Sequence, residues 1–292
     1  MNKKNRNRMI VCIGMLAAVV AAGTALAGGF ASLMDENPHF TPRQVVDWKA
    51  RADKGDGVAQ YFYACARADG WGVAFDSKIA EDYARRALSN GVEAAAFYAG
   101  KEFVDRHAKW AQKAAEAGDP IAQFQLARCC VRGKGVKADR KLGMDWFRKS
   151  AEAGYAPGQC WLGMAYQFGE SGVKDFESAL TWHEKAMASE FANAYFWKGV
   201  LLEDGTGIGK DRKAAIEHYV KAADLGCSFA MSKLGKVYEN LSAYLPGEQD
   251  DLESAMRWYR KAQAFNVRQA AKDLKRVEER AAAAAAGPNG SD

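Results

Sequence analysis

Proline is scarce in this chain, six among 292 residues, and no Gly-rich phosphate loop follows a strand pattern. The first absence leaves long helices uninterrupted; the second excludes a nucleotide-binding strand-loop-helix unit. A balance of 49% apolar and 26% charged residues, with many alanines, then suits a helical protein. Charge of one sign is also missing. The formal net charge is +5, but Lys3, Lys4, Arg6 and Arg8 supply four of those charges, leaving +1 for the rest. That excludes a basic nucleic-acid footprint. The four histidines, His39, His107, His183 and His218, make no close-spaced ligand set with cysteine or carboxylate, so neither a metal nor another cofactor is expected. His183 reads as solvated.

Long apolar runs are absent except near the start. Four basic residues precede an uncharged stretch from Met9 to Ala27 that ends in Ala25-Leu26-Ala27. A basic region, an apolar region and an A-x-A site describe a secretory signal peptide cleaved after Ala27. The alternative is an uncleaved membrane anchor through residues 9–27, since nineteen uncharged residues barely span a bilayer. Five cysteines remain after Ala27: Cys65, Cys129, Cys130, Cys160 and Cys227. An odd number cannot all pair internally, and they read as small buried apolar residues.

What the chain has is a beat. Small or polar residues close successive segments at Gly55, Gly91, Gly118, Gly154, Glu190, Gly226 and Asn266, at spacings of 36, 27, 36, 36, 36 and 40. Tyr83, Trp110, Trp146, Trp182, His218 and Trp258 each stand eight residues before a closing residue. Asp76, Asp139, Asp175, Asp211 and Asp251 each stand seven before that aromatic position. A period of this size predicts a helix-turn-helix solenoid. In Asp119–Gly154, Ala122, Leu126, Ala127 and Cys130 mark one face of a first helix, which Gly133-Lys-Gly135 ends. Asp139 then caps a second helix whose Trp146 is expected to wedge between the two. By the same register His218 replaces the wedge aromatic in its unit. The unit between Gly91 and Gly118 is nine residues short and lacks the Gly-x-Gly loop; the last is four longer, with Pro246-Gly247 in an extended loop.

The order Ala-Gln-Phe, Leu-Ala, Gly-x-Gly-Val, Asp, Trp, Lys-x-Ala-Glu-x-Gly resembles the Sel-one-like repeat, a relative of the tetratricopeptide repeat, from about Trp48 to Val267. The resemblance implies an all-α superhelix, a right-handed solenoid of about six antiparallel helix pairs, with first helices lining the concave side and partner binding as the shared habit. The expected organisation is a signal peptide at 1–27, a linker at 28–46, the solenoid at 47–267, a capping helix at 268–286 with Ala271, Leu274 and Val277 facing the last repeat, and a disordered tail at 287–292.

Chemistry is thin. Ser171-Gly-Val-Lys174 spells S-x-x-K without K-T-G or S-D-N, and Gly135-Val136-Lys137 holds the same register in the preceding unit. Cysteine-rich secreted relatives are linked to β-lactam binding, but they pair cysteines within each repeat and this chain does not. A non-enzymatic, monomeric scaffold for a protein or peptide is therefore expected. A β-lactam-binding or cell-wall-active enzyme and a membrane-anchored assembly adaptor are the alternatives; contact with a membrane requires an uncleaved N-terminus. On the first helices the fourth position carries Phe62, Tyr98, Trp161 and Trp197, where the family pattern is usually polar, and the seventh carries Lys101, Arg128, Met164 and Val200. Trp161, Met164, Trp197 and Val200, with Tyr98, Arg128 and Lys101 beside them, form the expected partner-binding patch.

Overall fold

The computed structural model describes residue 33, residues 38–170 and residues 172–286. The expected signal segment, the linker through residue 37, Ser171 and the tail at 287–292 lie outside the described residues. Contacts divide the chain into Met1–Pro38, of which Leu33 and Pro38 are described, and His39–Asp292, which carries the repeats.

Every regular element among the described residues is helical. Unit 1 pairs Gly57–Asp69 with Ser77–Ser89, and unit 3 pairs Pro120–Arg132 with Arg140–Glu152. Unit 4 pairs Ala156–Phe168 with Phe176–Ala188, unit 5 Ala192–Asp204 with Arg212–Asp224, and unit 6 Ser228–Glu239 with Leu252–Ala264. In the short unit 2 the first helix is reduced to two 3-10 turns, Glu93–Phe97 and Lys101–Phe103, ahead of Val104–Glu116. The loop of unit 6 holds the one-turn helix Leu241–Tyr244.

A helix precedes unit 1, and it begins earlier than expected. It spans Pro42–Ala52, so the linker ends before Thr41 rather than at Val46. Pro42 is the helix start: its missing N–H is unneeded in the first turn, and the Thr41 side chain accepts from the Gln44 N–H.

The periodic aspartates all cap second helices. Asp76, Asp139, Asp175, Asp211 and Asp251 each accept a backbone N–H from two or three residues ahead. Each such cap stabilises its helix by about 1 kcal/mol. Gly70, Gly133, Gly169 and Gly205 end first helices in the left-handed conformation. The closing residues have positive φ throughout, including the two that are not glycine, Glu190 at 51° and Asn266 at 60°. The beat of the sequence is thus a backbone requirement repeated at every return turn.

In units 3 to 5 the wedge lies one residue beyond the expected position, whereas in unit 6 both Trp258 and Tyr259 are buried and in unit 1 the expected Tyr83 is itself buried. Trp146 and Trp182 are half-buried at the helix edge, each covered by the lysine three residues on, with Lys149 Nζ 4.0 Å from the Trp146 ring and Lys185 Nζ 3.9 Å from the Trp182 ring. Buried between the helices are Phe147, His183, Tyr219 and Tyr259. A step of one residue turns about 100° around the axis and exchanges the edge for the face. His183 is therefore fully buried rather than solvated, and His218 is half-buried at the edge. Glycines receive these rings: a Cβ on Gly163, Gly199 or Gly235 would stand 2.7, 2.7 or 2.5 Å from His183, Tyr219 or Tyr259. The ring's polar tip has a partner in register. Tyr219 Oη donates to Glu203 (2.6 Å), Tyr259 Oη donates to Glu239 (2.9 Å), and His183 Nε2 lies 3.4 Å from Gln167 Oε1. Phe147, which has no polar tip, is matched by Val131 at the equivalent place.

The coil closes on itself. The loop after the first helix of unit 1 meets three successive return turns: Trp71 packs edge-on against Phe191 at 5.5 Å, Gly72 abuts Gly226, and Asn266 Nδ2 donates to the Phe75 carbonyl at 2.9 Å. His39 Nδ1 is 2.5 Å from the Ser189 carbonyl in the same row. A Cβ on Gly226 would stand 2.6 Å from Gly72 Cα, and one on Gly72 would stand 2.3 Å from the Phe40 carbonyl oxygen, so glycine is required on both sides, for different neighbours. Beyond unit 6, Ala270–Ala286 packs Ala270, Leu274 and Val277 inward at i, i+4 and i+7; Ala271, expected on that face, lies about 100° round the axis from Ala270 and is exposed. No helix among the described residues is long and apolar enough to cross a membrane.

Two predictions follow from these turns and wedges. Glu190 occupies a left-handed position and its carboxylate is 3.8 Å from the exposed Lys221 ammonium, a contact of little worth. Glu190→Gly is expected to raise stability by up to about 1 kcal/mol in urea unfolding; a fall would show that the side chain holds the turn. Burial pushes His183 down to about 3, and burial with Lys134 and Arg128 nearby does the same to His107. The unfolded chain binds protons on both below about pH 6.5 while the folded chain stays neutral until about 3, so stability falls as pH drops through that window, by roughly 1.4 kcal/mol per pH unit for each group. His183→Tyr, the residue units 5 and 6 use, should make the urea midpoint less sensitive to pH between 6 and 4, and an unchanged slope would refute this account.

Candidate functional site

The seven residues singled out by sequence divide into two groups. On the first helix of unit 4, Trp161, Met164 and Phe168 share one side by their spacing; on that of unit 5, Trp197 and Val200 do the same. Trp161, Met164, Trp197 and Val200 are all half-buried. The Trp161 ring stacks on Phe147 at 5.3 Å and 3°, which fixes one face and leaves an edge to solvent. Phe168, half exposed, meets Trp197 edge-on at 5.4 Å, so the two helices present one aromatic surface. Trp197 continues to Phe196 (5.1 Å) and Phe196 to the exposed Phe229 (6.0 Å). The equivalent aromatics of unit 1, Tyr61 and Phe62, are fully buried against Trp48, Phe40 and each other, and pack the interior.

The second group has another role. Arg128 is 6% exposed, and its guanidinium forks onto Asp69, Nη1 to Oδ2 and Nη2 to Oδ1 at 2.9 Å each. Nη1 also donates to Tyr98 Oη (2.8 Å), which donates to Asp69 Oδ2 (2.7 Å). Burial holds the Tyr98 phenol well above its usual pKa, so it stays a donor. Arg128 therefore does not stand at the rim as an anchor for a ligand: its charge is neutralised inside the fold. Removing one partner of such a pair typically costs about 3–5 kcal/mol. The bond crosses unit 2. Asp69 ends the first helix of unit 1 and Arg128 lies in that of unit 3, where Gln125 Nε2 likewise donates to Tyr61 Oη at 2.6 Å. The missing helix of unit 2 is what lets these two helices touch. Lys101 is exposed on the second 3-10 turn of that unit, away from the aromatic surface of units 4 and 5 in the order of repeats.

The described cysteines are held as thiols. All five described cysteines are unpaired and buried, and burial raises each thiol, Cys129 to about 11 and Cys227 to about 12. Among the described residues no three His, Cys, Asp or Glu converge as metal ligands would. The sequence reading missed Phe75, Phe229 and Phe265 at the seam between unit 1 and unit 6. One signal was available: the residue before the capping aspartate is Ala138, Lys174, Lys210 or Asp250 in other units and a large apolar Phe75 only in unit 1.

Comparison with known proteins agrees with the geometry. The chain is similar to the crystal structure of a protective antigen present in uropathogenic Escherichia coli strains displaying an SLR fold, at 26% identity and a TM-score of 0.52, over 80% of this chain and 51% of that one. This chain thus spans about half the length of that antigen. A Sel1 repeat protein from Oxalobacter formigenes matches at 24% identity and a TM-score of 0.50, over 75% of each chain. Comparison with curated proteins gave no match. The Sel1 repeat model matches residues 57–92, 108–119, 120–155, 156–188, 192–227 and 228–262, the short second match falling where unit 2 has lost its first helix. Repeats of this kind are generally non-catalytic and typically mediate protein–protein interaction. With six repeat matches covering more than half of its length, the chain belongs to the Sel1 repeat family.

Proposed function

We propose that this protein is an exported scaffold that holds a protein or peptide partner on the first helices of units 4 and 5, with Trp161, Met164, Trp197 and Val200 in contact. The observation that carries this reading is a difference between like positions: the unit 1 aromatics are buried, whereas the Trp161–Trp197 surface and the adjoining Phe168 keep solvent access. Partly exposed tryptophans held by stacking are pre-organised anchors, because their rotamers are fixed before a partner arrives. Arg128 and Tyr98 shape the coil that presents this surface, and Lys101 stands outside it.

The test is capture of partners by the wild-type protein and by a Trp161→Ala, Trp197→Ala double variant of matched folded content. Loss of at least one partner from the variant is expected; equal capture of every partner would remove the site. Export is carried by the basic and apolar segments ahead of Ala27 and is tested apart from binding. Mass analysis of the protein from its native cell should give a chain beginning at Gly28, whereas an intact Met1 terminus would favour the anchored adaptor.

A further inference from the structure

The closed coil creates a pocket that no single unit contains. Phe75 comes from the unit 1 loop, Phe196 and Phe229 from the first helices of units 5 and 6, and Phe265 and Val267 from the last return turn; together they line a cavity of about 470 Å³. The bond from Asn266 Nδ2 to the Phe75 carbonyl holds the two sides together. Phe75 is 49% exposed and Phe229 63% exposed, an unusual exposure for phenylalanines beside a cavity. The unpaired charge around it has one sign, since Lys233, which also lines the cavity, is held by Glu203 at 2.6 Å. Lys236 lines the cavity, and Lys78 and Arg268 line the adjoining groove; all three are exposed and none has an acidic partner among the described residues. The carboxylate that lines the groove, Asp76, is already occupied by the Lys78 and Ile79 backbone N–H groups and by Arg67 at 3.3 Å.

We infer that this seam pocket takes a large apolar side chain from an acidic peptide segment, whose carboxylates pair with Lys78, Lys236 and Arg268. The inference rests on the reading of the protein as a peptide-binding scaffold and names the chemistry of its ligand. A peptide fits the shape better than a membrane surface does, because the pocket is recessed between two elements and continues, through Phe196, Trp197 and Phe168, along ring-to-ring steps of 5.1 and 5.4 Å. A few residues of extended chain at about 3.3 Å each cover that row. The three unpaired cations set the sign of the ligand and make its affinity dependent on salt.

The experiment is fluorescence anisotropy on the full-length protein with two labelled peptides, Asp-Glu-Phe-Glu-Asp and Lys-Arg-Phe-Arg-Lys, at low and high salt, alongside vesicles with and without anionic lipid. The acidic peptide should bind at least tenfold more tightly than the basic one and weaken as salt rises. Phe229→Ala, at an exposed position that the fold does not need, should reduce its affinity at least fivefold, and Lys236→Glu should do likewise. Val46→Ala, at an exposed apolar position on the helix before unit 1 and outside both surfaces, should leave it within twofold. The inference is overturned by absence of acidic-peptide binding, by equal binding of both peptides, by unchanged affinity in Phe229→Ala, or by binding to anionic vesicles alone. Loss of binding in Trp161→Ala with none in Phe229→Ala would move the ligand to the Trp161 surface, sustaining the proposed function while removing the seam pocket.

Discussion

The fork of Arg128 onto Asp69 is the contact on which the shape of this protein turns. An ordinary repeat array keeps each unit in contact with its neighbours alone. Here unit 2 lacks its first helix, and a buried, charge-assisted pair under Tyr98 ties unit 1 to unit 3 across the gap. An isolated charge at that depth would be costly, so guanidinium and carboxylate each make the other tolerable, and both require the two helices to stay close. Residues 70–75, which directly follow Asp69, meet the return turns of units 4, 5 and 6. The inner side of unit 1 is consequently filled by the chain itself: Trp71 lies against Phe40, Phe124 and Phe191.

Much of this was legible because the repeat encodes backbone conformation directly. A recurring positive-φ return turn, a capping aspartate and a glycine-terminated first helix are local requirements, satisfied by residues a few positions apart, and each was readable from spacing. The wedge was harder. Trp146-Phe147, Trp182-His183, His218-Tyr219 and Trp258-Tyr259 are adjacent aromatic pairs, and periodicity is blind to which member lies between the helices because both recur with the same beat. The distinction lay in a second column: Val131, Gln167, Glu203 and Glu239 match Phe147, His183, Tyr219 and Tyr259 in polarity, as a buried ring tip and its partner must.

The candidate surface was legible only in part, for a related reason. Trp161 and Trp197 were found because the fourth position departs from the repeat, and Met164 and Val200 because the seventh position shares its side of the helix; both can be read without coordinates. Arg128 shares that seventh position, yet its meaning depends on Asp69, 59 residues away and across a degenerate unit. The seam is more remote still: Phe75 and Asn266 are 191 residues apart. No local preference marks such a contact. It exists because the stacked units bring the loop of unit 1 back against the return turns of units 4, 5 and 6, and that return is a property of packing rather than of any segment.

Closure also gives a ligand at the seam a reach that one on a single unit would not have. The walls of that pocket come from unit 1, units 5 and 6 and the final turn, so the pocket is complete only while the coil is closed. A ligand that binds the closed form and not the open one stabilises closure by RT ln(1 + [L]/Kd), and closure in turn raises the affinity for that ligand by the same coupling. The Arg128–Asp69 pair lies outside the pocket, yet Asp69 ends the helix whose following loop carries Phe75, one of the pocket's walls. A buried ion pair that spans the degenerate second unit and an aromatic recess that joins the ends of the coil thus meet in one short stretch of unit 1, where holding the helix end also holds the loop.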